Sequence, residues 1–388
     1  MKPLSFLLSL CILAAPLSSF ADVESDIAAI LAVDSEGQGN AEASAAWARL
    51  SQAKMDAVPQ ILSQMKGTNP LAANYLRSAV QAIVASELET GKELPMAELG
   101  EVLLDTRKDA RAREIAFQLI EQQKPETAEM LVPGMLNDPS SELRYAAVER
   151  LINEADTLAQ DDKQQSAILI YRQALGSAIE VNQVNRIADA LKKLEEEVDL
   201  PRHFGFLMHW NVIGPFDNTG RDGFDTVFPP EEGIDLEATY EGKDGDVSWQ
   251  PLVTSDTYGK VDFNKPYGML KEVVAYAYTE FNAEAARSVE LRLGGKNAWK
   301  VWLNGELLFG RDEYHRGQRI DQYKMKAQLK EGKNTILVKC CQNEQTQDWT
   351  VQWEFQLRVS DETGNAILAV DRPPTPQPEA AQRRPTQS

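Results

Sequence analysis

The apolar period of this chain changes once, near residue 200, from helical spacing to strict alternation. Apolar residues recurring every three or four positions cover one face of a helix. Apolar residues recurring every second position cover one face of a strand, and neither pattern suits the other structure. A chain that switches in this way is expected to fold as a helical part followed by a strand part. With 388 residues, 43% of them hydrophobic, there is enough apolar material for more than one core.

Before the switch the chain is rich in Ala, Leu, Glu and Gln. Leu131, Met135 and Leu136 form one stripe, and Leu143, Ala147, Leu151 and Ile152 form another. Asp138-Pro139 between them reads as a helix start, with Asp as N-cap and Pro at the first helical position. Arg113, Ala116 and Ile120 repeat as Arg144, Ala147 and Leu151, and Asn69-Pro70 with Ala79 and Ile83 opens an earlier copy. Two-helix repeats of this length stack because one hairpin cannot bury its own face. A last helical pair is expected over 163–197.

After the switch, Trp349, Val351, Trp353, Phe355, Leu357 and Val359 alternate with polar residues. This predicts a long strand with one buried and one wet face, and places Trp349 and Trp353 in the core. Val289, Leu291 and Leu293 alternate likewise, as do Ile336, Val338 and Cys340. Asn304-Gly305 joins two such runs as a hairpin turn, since both residues tolerate positive φ. Adjacent Cys340 and Cys341 should point to opposite faces, one buried and one outward, too close along the chain to bond each other.

The stretch 58–155, with Asp138-Pro139 through Arg144 and Ala147 matching best, resembles HEAT repeats. The strings WNVIGPFD, KVWLNGELLF, LKEGKNTILVKC and WTVQWEFQLRV within 210–359 resemble a galactose-binding-like β-sandwich of the jelly-roll type. The expected class is multidomain α + β: a HEAT-like solenoid over 22–200 and an antiparallel β-sandwich over 201–371. The second resemblance implies a non-catalytic carbohydrate-binding or accessory module, with sugars bound by rim loops and often a structural calcium ion.

Both ends read as extensions. Residues 1–21 have a short positive start, an apolar run and a small-residue cleavage site after Ala21, which is the pattern of a signal peptide. No later stretch has the ~20 apolar residues of a membrane span. Export to the periplasm or beyond is expected, without an anchor. Residues 372–388 are Pro-rich and polar and are expected to be a disordered tail.

The net charge is −19, from 40 basic and 59 acidic residues. It excludes a nucleic-acid or anionic-membrane partner, which would need a basic footprint. The helical half carries 17 basic and 31 acidic residues, so a protein partner there would be basic or cation-bridged, with salt-sensitive binding. No phosphate-binding loop, dinucleotide fingerprint, nucleophile elbow or zinc-protease motif occurs, and no catalytic residue is assigned. Two regions are candidate sites. Asp217, Asn218, Asp222 and Asp225 offer oxygens suited to calcium, although the spacing is not that of an EF-hand. Trp302 falls opposite Val301 and Leu303, so it either faces outward as a sugar platform or is covered by another strand or by the helical half. Asn304, Tyr314, His315, Arg316 and Arg319 would supply hydrogen bonds beside it. The expected function is an exported binding or scaffold protein, neither enzymatic nor cofactor-dependent. A carbohydrate-binding protein is the first alternative and a glycan-active hydrolase the second.

Overall fold

The computed structural model describes residues 20–377. The signal-peptide expectation falls almost entirely outside that range, as does the tail from residue 378. Helices occupy the N-terminal half and antiparallel sheets the C-terminal half, so the protein is mixed α + β. No described helix is long and apolar enough to cross a membrane. Packing divides the chain into two compact units. The first runs to Asp161 and takes in Arg172–Ala178; the second takes in Asp162–Tyr171 and everything from Ile179.

The helices are α1 Phe20–Leu31, α2 Asn40–Leu50, α3 Ala57–Ser63, α4 Pro70–Glu89, α5 Met96–Leu104, α6 Ala110–Gln123, α7 Pro125–Leu131, α8 Ser141–Gln160, α9 Gln164–Ser177 and α10 Val181–Lys193. Ala79, Ala116 and Ala147, aligned by the repeat, are all buried, as are Ile83, Ile120 and Leu151. The two aligned arginines are buried as well. The Arg113 guanidinium donates to both carboxylate oxygens of Asp138 at 2.7 and 2.5 Å and to the Leu103 carbonyl. Arg144 donates from Nε to the Ser177 carbonyl at 2.5 Å.

The two Asx-Pro helix starts behave differently. Asn69 caps α4 as expected, accepting from the Ala72 amide at 2.9 Å, with Pro70 at the first helical position. Asp138 does not cap α8. Its carboxylate is engaged by Arg113 and by the Ser140 amide, so the helix starts at Ser141 with Ser140 as N-cap.

The strands are β1 His209–Asp217, β2 Thr239–Glu241, β3 Asp246–Ser248, β4 Gln250–Val253, β5 Val261–Asp262, β6 Val273–Ala283, β7 Arg287–Gly295, β8 Ala298–Leu303, β9 Glu306–Arg311, β10 Tyr323–Leu329, β11 Gly332–Gln342 and β12 Glu354–Ser360. One antiparallel sheet has the order β4-β1-β6-β11-β8-β9 and a second the order β10-β7-β12-β5. Their apolar faces share one core. Val212, Ala275, Val301 and Val338 enter it from the six-stranded sheet, and Leu291, Phe355 and Leu357 from the four-stranded one.

The opposite face of the six-stranded sheet is also covered. Ile213, Val274, Tyr276, Trp302, Leu337 and Cys341 pack there with Phe216 and Val247, beneath Phe224, Phe228, Tyr240 and Trp249 of the excursion between β1 and β4. Both cysteines are therefore buried free thiols on opposite faces, contrary to the expectation that one faces outward. Burial pushes the Cys341 thiol up to about 12.

The long alternating strand is also corrected. It pairs only from Glu354; Asp348–Thr350 is a 3-10 turn, and Trp349 lies outside the core. Nor is its polar face wet, because Gln356 and Arg358 are buried with Arg292 of β7. Arg358 donates to the Phe204 and Gly364 carbonyls and to Asp321, and Arg292 donates to Asp321 and to the carbonyls of Asp361 and Glu362. Loops thus close over this face too. Residues 372–377, expected to be disordered, lie along the same unit: Arg372 donates to the Pro201 carbonyl and Thr375 to the Asp199 carboxylate.

Candidate binding site on the loop rim

Three loops of the second unit meet at one place: 217–225 after β1, 312–319 after β9 and 343–350 after β11. Asn218 ties them together. It is fully buried, and its amide donates to the Gln342 carbonyl at 2.9 Å and to the Tyr314 hydroxyl at 3.2 Å. Tyr314 is half-buried, and burial raises its phenol above the ordinary range. The Arg221 guanidinium sits 5.2 Å from the centre of the Tyr314 ring and pairs with Glu344 at 2.5 Å. That hydrogen bond holds the Glu344 carboxyl down at about 2.

His315 adopts φ 57° and brings Nε2 to 2.8 Å from Asn343 Oδ1. Its ring meets the Trp349 indole edge to face at 5.3 Å. The turn carrying Trp349 is anchored from below by Thr350. The buried Thr350 hydroxyl donates to the Gln347 and Gln345 carbonyls, while its own carbonyl accepts from Gln342 and Lys271. The indole above is 61% exposed. A firmly based turn thus presents a large aromatic ring to solvent, beside a histidine, an arginine and a carboxylate. Asn218 Oδ1, His315 Nδ1 and Asn343 Nδ2 beneath it are buried with no hydrogen-bond partner among the described residues. Chemically the rim offers an apolar stacking surface edged by donors and acceptors, the combination that suits a ring bearing hydroxyls.

The structure gathers Tyr314 and His315 here, with exposed Arg316 beside them pairing with Glu313 at 3.4 Å. It does not bring Trp302, Asn304 or Arg319. Trp302 is 6% exposed beneath the β1–β4 excursion and cannot stack on a ligand. Asn304 makes the tight turn after β8 at φ 54° and is held by the Thr335 amide and by Asn334. Arg319 borders a separate cavity on the four-stranded sheet.

The structure does not gather the four calcium candidates. Asp217 is paired with Lys243 at 3.0 Å and accepts from Thr219. Asn218 is committed as above, Asp222 is exposed, and Asp225 is solvent-facing 3.6 Å from Lys300. No group of three His, Cys, Asp or Glu side chains converges on a point among the described residues.

Trp349, Asn343 and Glu344 were missed. The alternation placed Trp349 in the core, yet the polar run Gln342–Asp348 before it marks a loop rather than a strand.

No protein-family model matches the chain, and no curated protein matches it in sequence. Among solved structures it is similar to a GH31 alpha-xylosidase from Xanthomonas citri at 9% identity and TM-score 0.22, over 40% of this chain and 16% of that one. It is also similar to a beta-glucosidase from Kluyveromyces marxianus in complex with glucose, at 10% identity and TM-score 0.26, over 74% of this chain and 35% of the glucosidase. A Pseudomonas fluorescens alkylpurine DNA glycosylase matches at 11% identity and TM-score 0.21, over 89% and 95% of the two chains. The chain thus spans well under half of either carbohydrate enzyme, and likenesses of this size leave its family open.

Proposed function

We propose that this protein is an exported, non-enzymatic binding protein that takes saccharide rings on the rim around Trp349. In this reading the two-sheet unit is a jelly-roll sandwich of the galactose-binding-like type. Two antiparallel sheets sharing one core support it. The helices form a HEAT-like solenoid for basic protein partners. The buried arginine repeated in consecutive hairpins and the acidic surface support that part.

The single observation that carries the saccharide reading is the exposed Trp349 indole, set on a turn that Thr350 locks from beneath. An exposed indole offers a flat apolar surface, and a sugar's apolar face covers it at small desolvation cost. A glycan array with the full chain and its Trp349→Ala variant tests the reading. Saturable binding to a neutral glycan that the variant loses supports it. Absence of binding to any glycan, or binding unchanged in the variant, overturns it. The intact mass of the protein recovered from the exported fraction tests cleavage after Ala21.

A further inference from the structure

On the outer face of the four-stranded sheet, away from the rim, β12 floors a cavity of about 460 Å³. Gln352, Glu354 and Gln356 stand along its floor at alternate positions of the chain, and Lys260, Lys296 and Arg319 stand around it. Glu354 is only 9% exposed, yet its carboxylate makes no hydrogen bond and no ion pair among the described residues. Its charge feels Lys260 and Lys296, and against them Asp262 and Asp256, only at longer range, and burial holds its carboxyl above the ordinary value. Gln318 Oε1, also on the wall, is buried without a partner.

A buried amide oxygen without a donor costs free energy and is ordinarily found paired, and the largely buried Glu354 carboxylate keeps solvent contact in the cavity but no donor. Lys296 has a partner in the Gln352 amide oxygen, and Tyr258 has one in Asn185. Lys260 and Arg319 have none among the described residues. The wall therefore presents unmet acceptors on the floor and unmet cations beside them. Among the lining side chains three cations stand against one carboxylate, while Asp262 and Asp256 act on Glu354 from outside the wall, so the lining itself favours a ligand of net negative charge. The glutamine amides both donate and accept, as sugar hydroxyls do. A cavity of this size lies within the range of small-ligand sites.

We propose that this cavity is a second binding site, which takes an acidic sugar. Its hydroxyls donate to Glu354 and Gln318, and its carboxylate lies against Lys260 and Arg319. The site shares no residue with the Trp349 rim, so each can fail without the other.

Titration calorimetry with the full-length protein tests it, using tri-galacturonate as the probe. A neutral trisaccharide, acetate and glutamate serve as comparison ligands. The expected result is one saturable site for tri-galacturonate that weakens at least tenfold in a Lys260→Ala/Arg319→Ala double variant and persists in Trp349→Ala. Both replaced side chains lack partners, so an unchanged melting temperature separates lost binding from lost folding. Glu354→Leu, with its melting checked in the same way, should weaken binding as well. No saturable binding of tri-galacturonate, or equal binding by the double variant, overturns the proposal. Acetate or glutamate binding as tightly as the sugar also overturns it, because the site would then read only a carboxylate or an amino-acid zwitterion.

Discussion

The two units bury charge in different ways. In the helical unit Arg113 meets one carboxylate, Asp138, and one carbonyl. In the strand unit Asp321 lies between two arginines, Arg358 and Arg292, and Arg292 also meets Glu290. The difference follows from how many faces each element must cover. A helix at a surface buries one stripe, so its charges enter the interior only where hairpins meet. In the strand unit the outer faces of the central strands are covered as well, so much of the polar half of β7, β11 and β12 is carried inside. There it must find partners. The same logic puts Lys339 of β11 fully inside, where it donates to the Phe224 and Thr226 carbonyls and to Glu231.

The largest effect should come from Asp321→Ala, which leaves Arg358 buried without a carboxylate. Removing one partner of a buried pair costs about 3–5 kcal/mol, and two arginines put this case toward the upper end. Urea unfolding followed by tryptophan fluorescence reads it, since every tryptophan except Trp47 belongs to the strand half. A loss under about 1 kcal/mol would remove the contrast drawn above, because that is the scale of an exposed pair. Burial alone would raise the Asp321 carboxyl, but Arg358 and Arg292 outweigh it and hold the group below the ordinary aspartate value. Its contribution is therefore present above the unfolded pKa of about 3.9 and is lost as pH falls through the lower folded one. Asp138→Ala should cost somewhat less, because it takes the carboxylate from one arginine, whereas Asp321→Ala takes it from two. Far-UV circular dichroism follows that unit, and a loss equal to that of Asp321→Ala would show that the second arginine adds nothing.

Next comes a pair of tryptophans. Trp302→Ala opens a cavity under the β1–β4 excursion and should cost about 3 kcal/mol, whereas Trp349→Ala should change stability by no more than about 0.5 kcal/mol. The sequence leaves the place of Trp302 open and puts Trp349 in the core, for physical reasons. Alternation placed Trp302 opposite Val301 and Leu303, which is correct, since those two enter the intersheet core and Trp302 does not. Whether the far face is covered depends on Phe224, Phe228 and Trp249, distant in the chain, and no local period carries that information. Trp349 continues the period of β12 in the sequence. The pairing of that strand nevertheless stops where its neighbours stop, at Glu354 opposite Asp262 and Phe355 opposite Gly295. The change of period near residue 200, the Asn304-Gly305 hairpin and the Asn69 cap were legible because each is fixed by residues close in sequence. The rim was not, because three separate loops build it.

The smallest effect sharpens the comparison within one sheet face. Asp321, half-buried, and Glu354, buried, are both carboxylates on the outer side of the four-stranded sheet, but only Asp321 has cations in hydrogen-bonding reach. Burial, with Asp262 and Asp256 nearby, raises the Glu354 carboxyl, and the fields of Lys260 and Lys296 offset this only in part. Below an unfolded glutamate pKa of about 4.3 the group is neutral in both states and costs nothing. As pH rises from there to the folded value, the unfolded chain gives up its proton first, and the fold loses stability that it does not regain at higher pH. Glu354→Gln removes that penalty while keeping the shape of the side chain. It should raise the melting temperature at pH 7, by about 2–4 °C for each kcal/mol recovered in a domain of this size, and leave it unchanged near pH 4. An equal gain at both pH values would mean that the glutamine amide has found a hydrogen bond of its own. The contrast with Asp321, whose contribution has the opposite sign in the same pH range, would then not rest on charge.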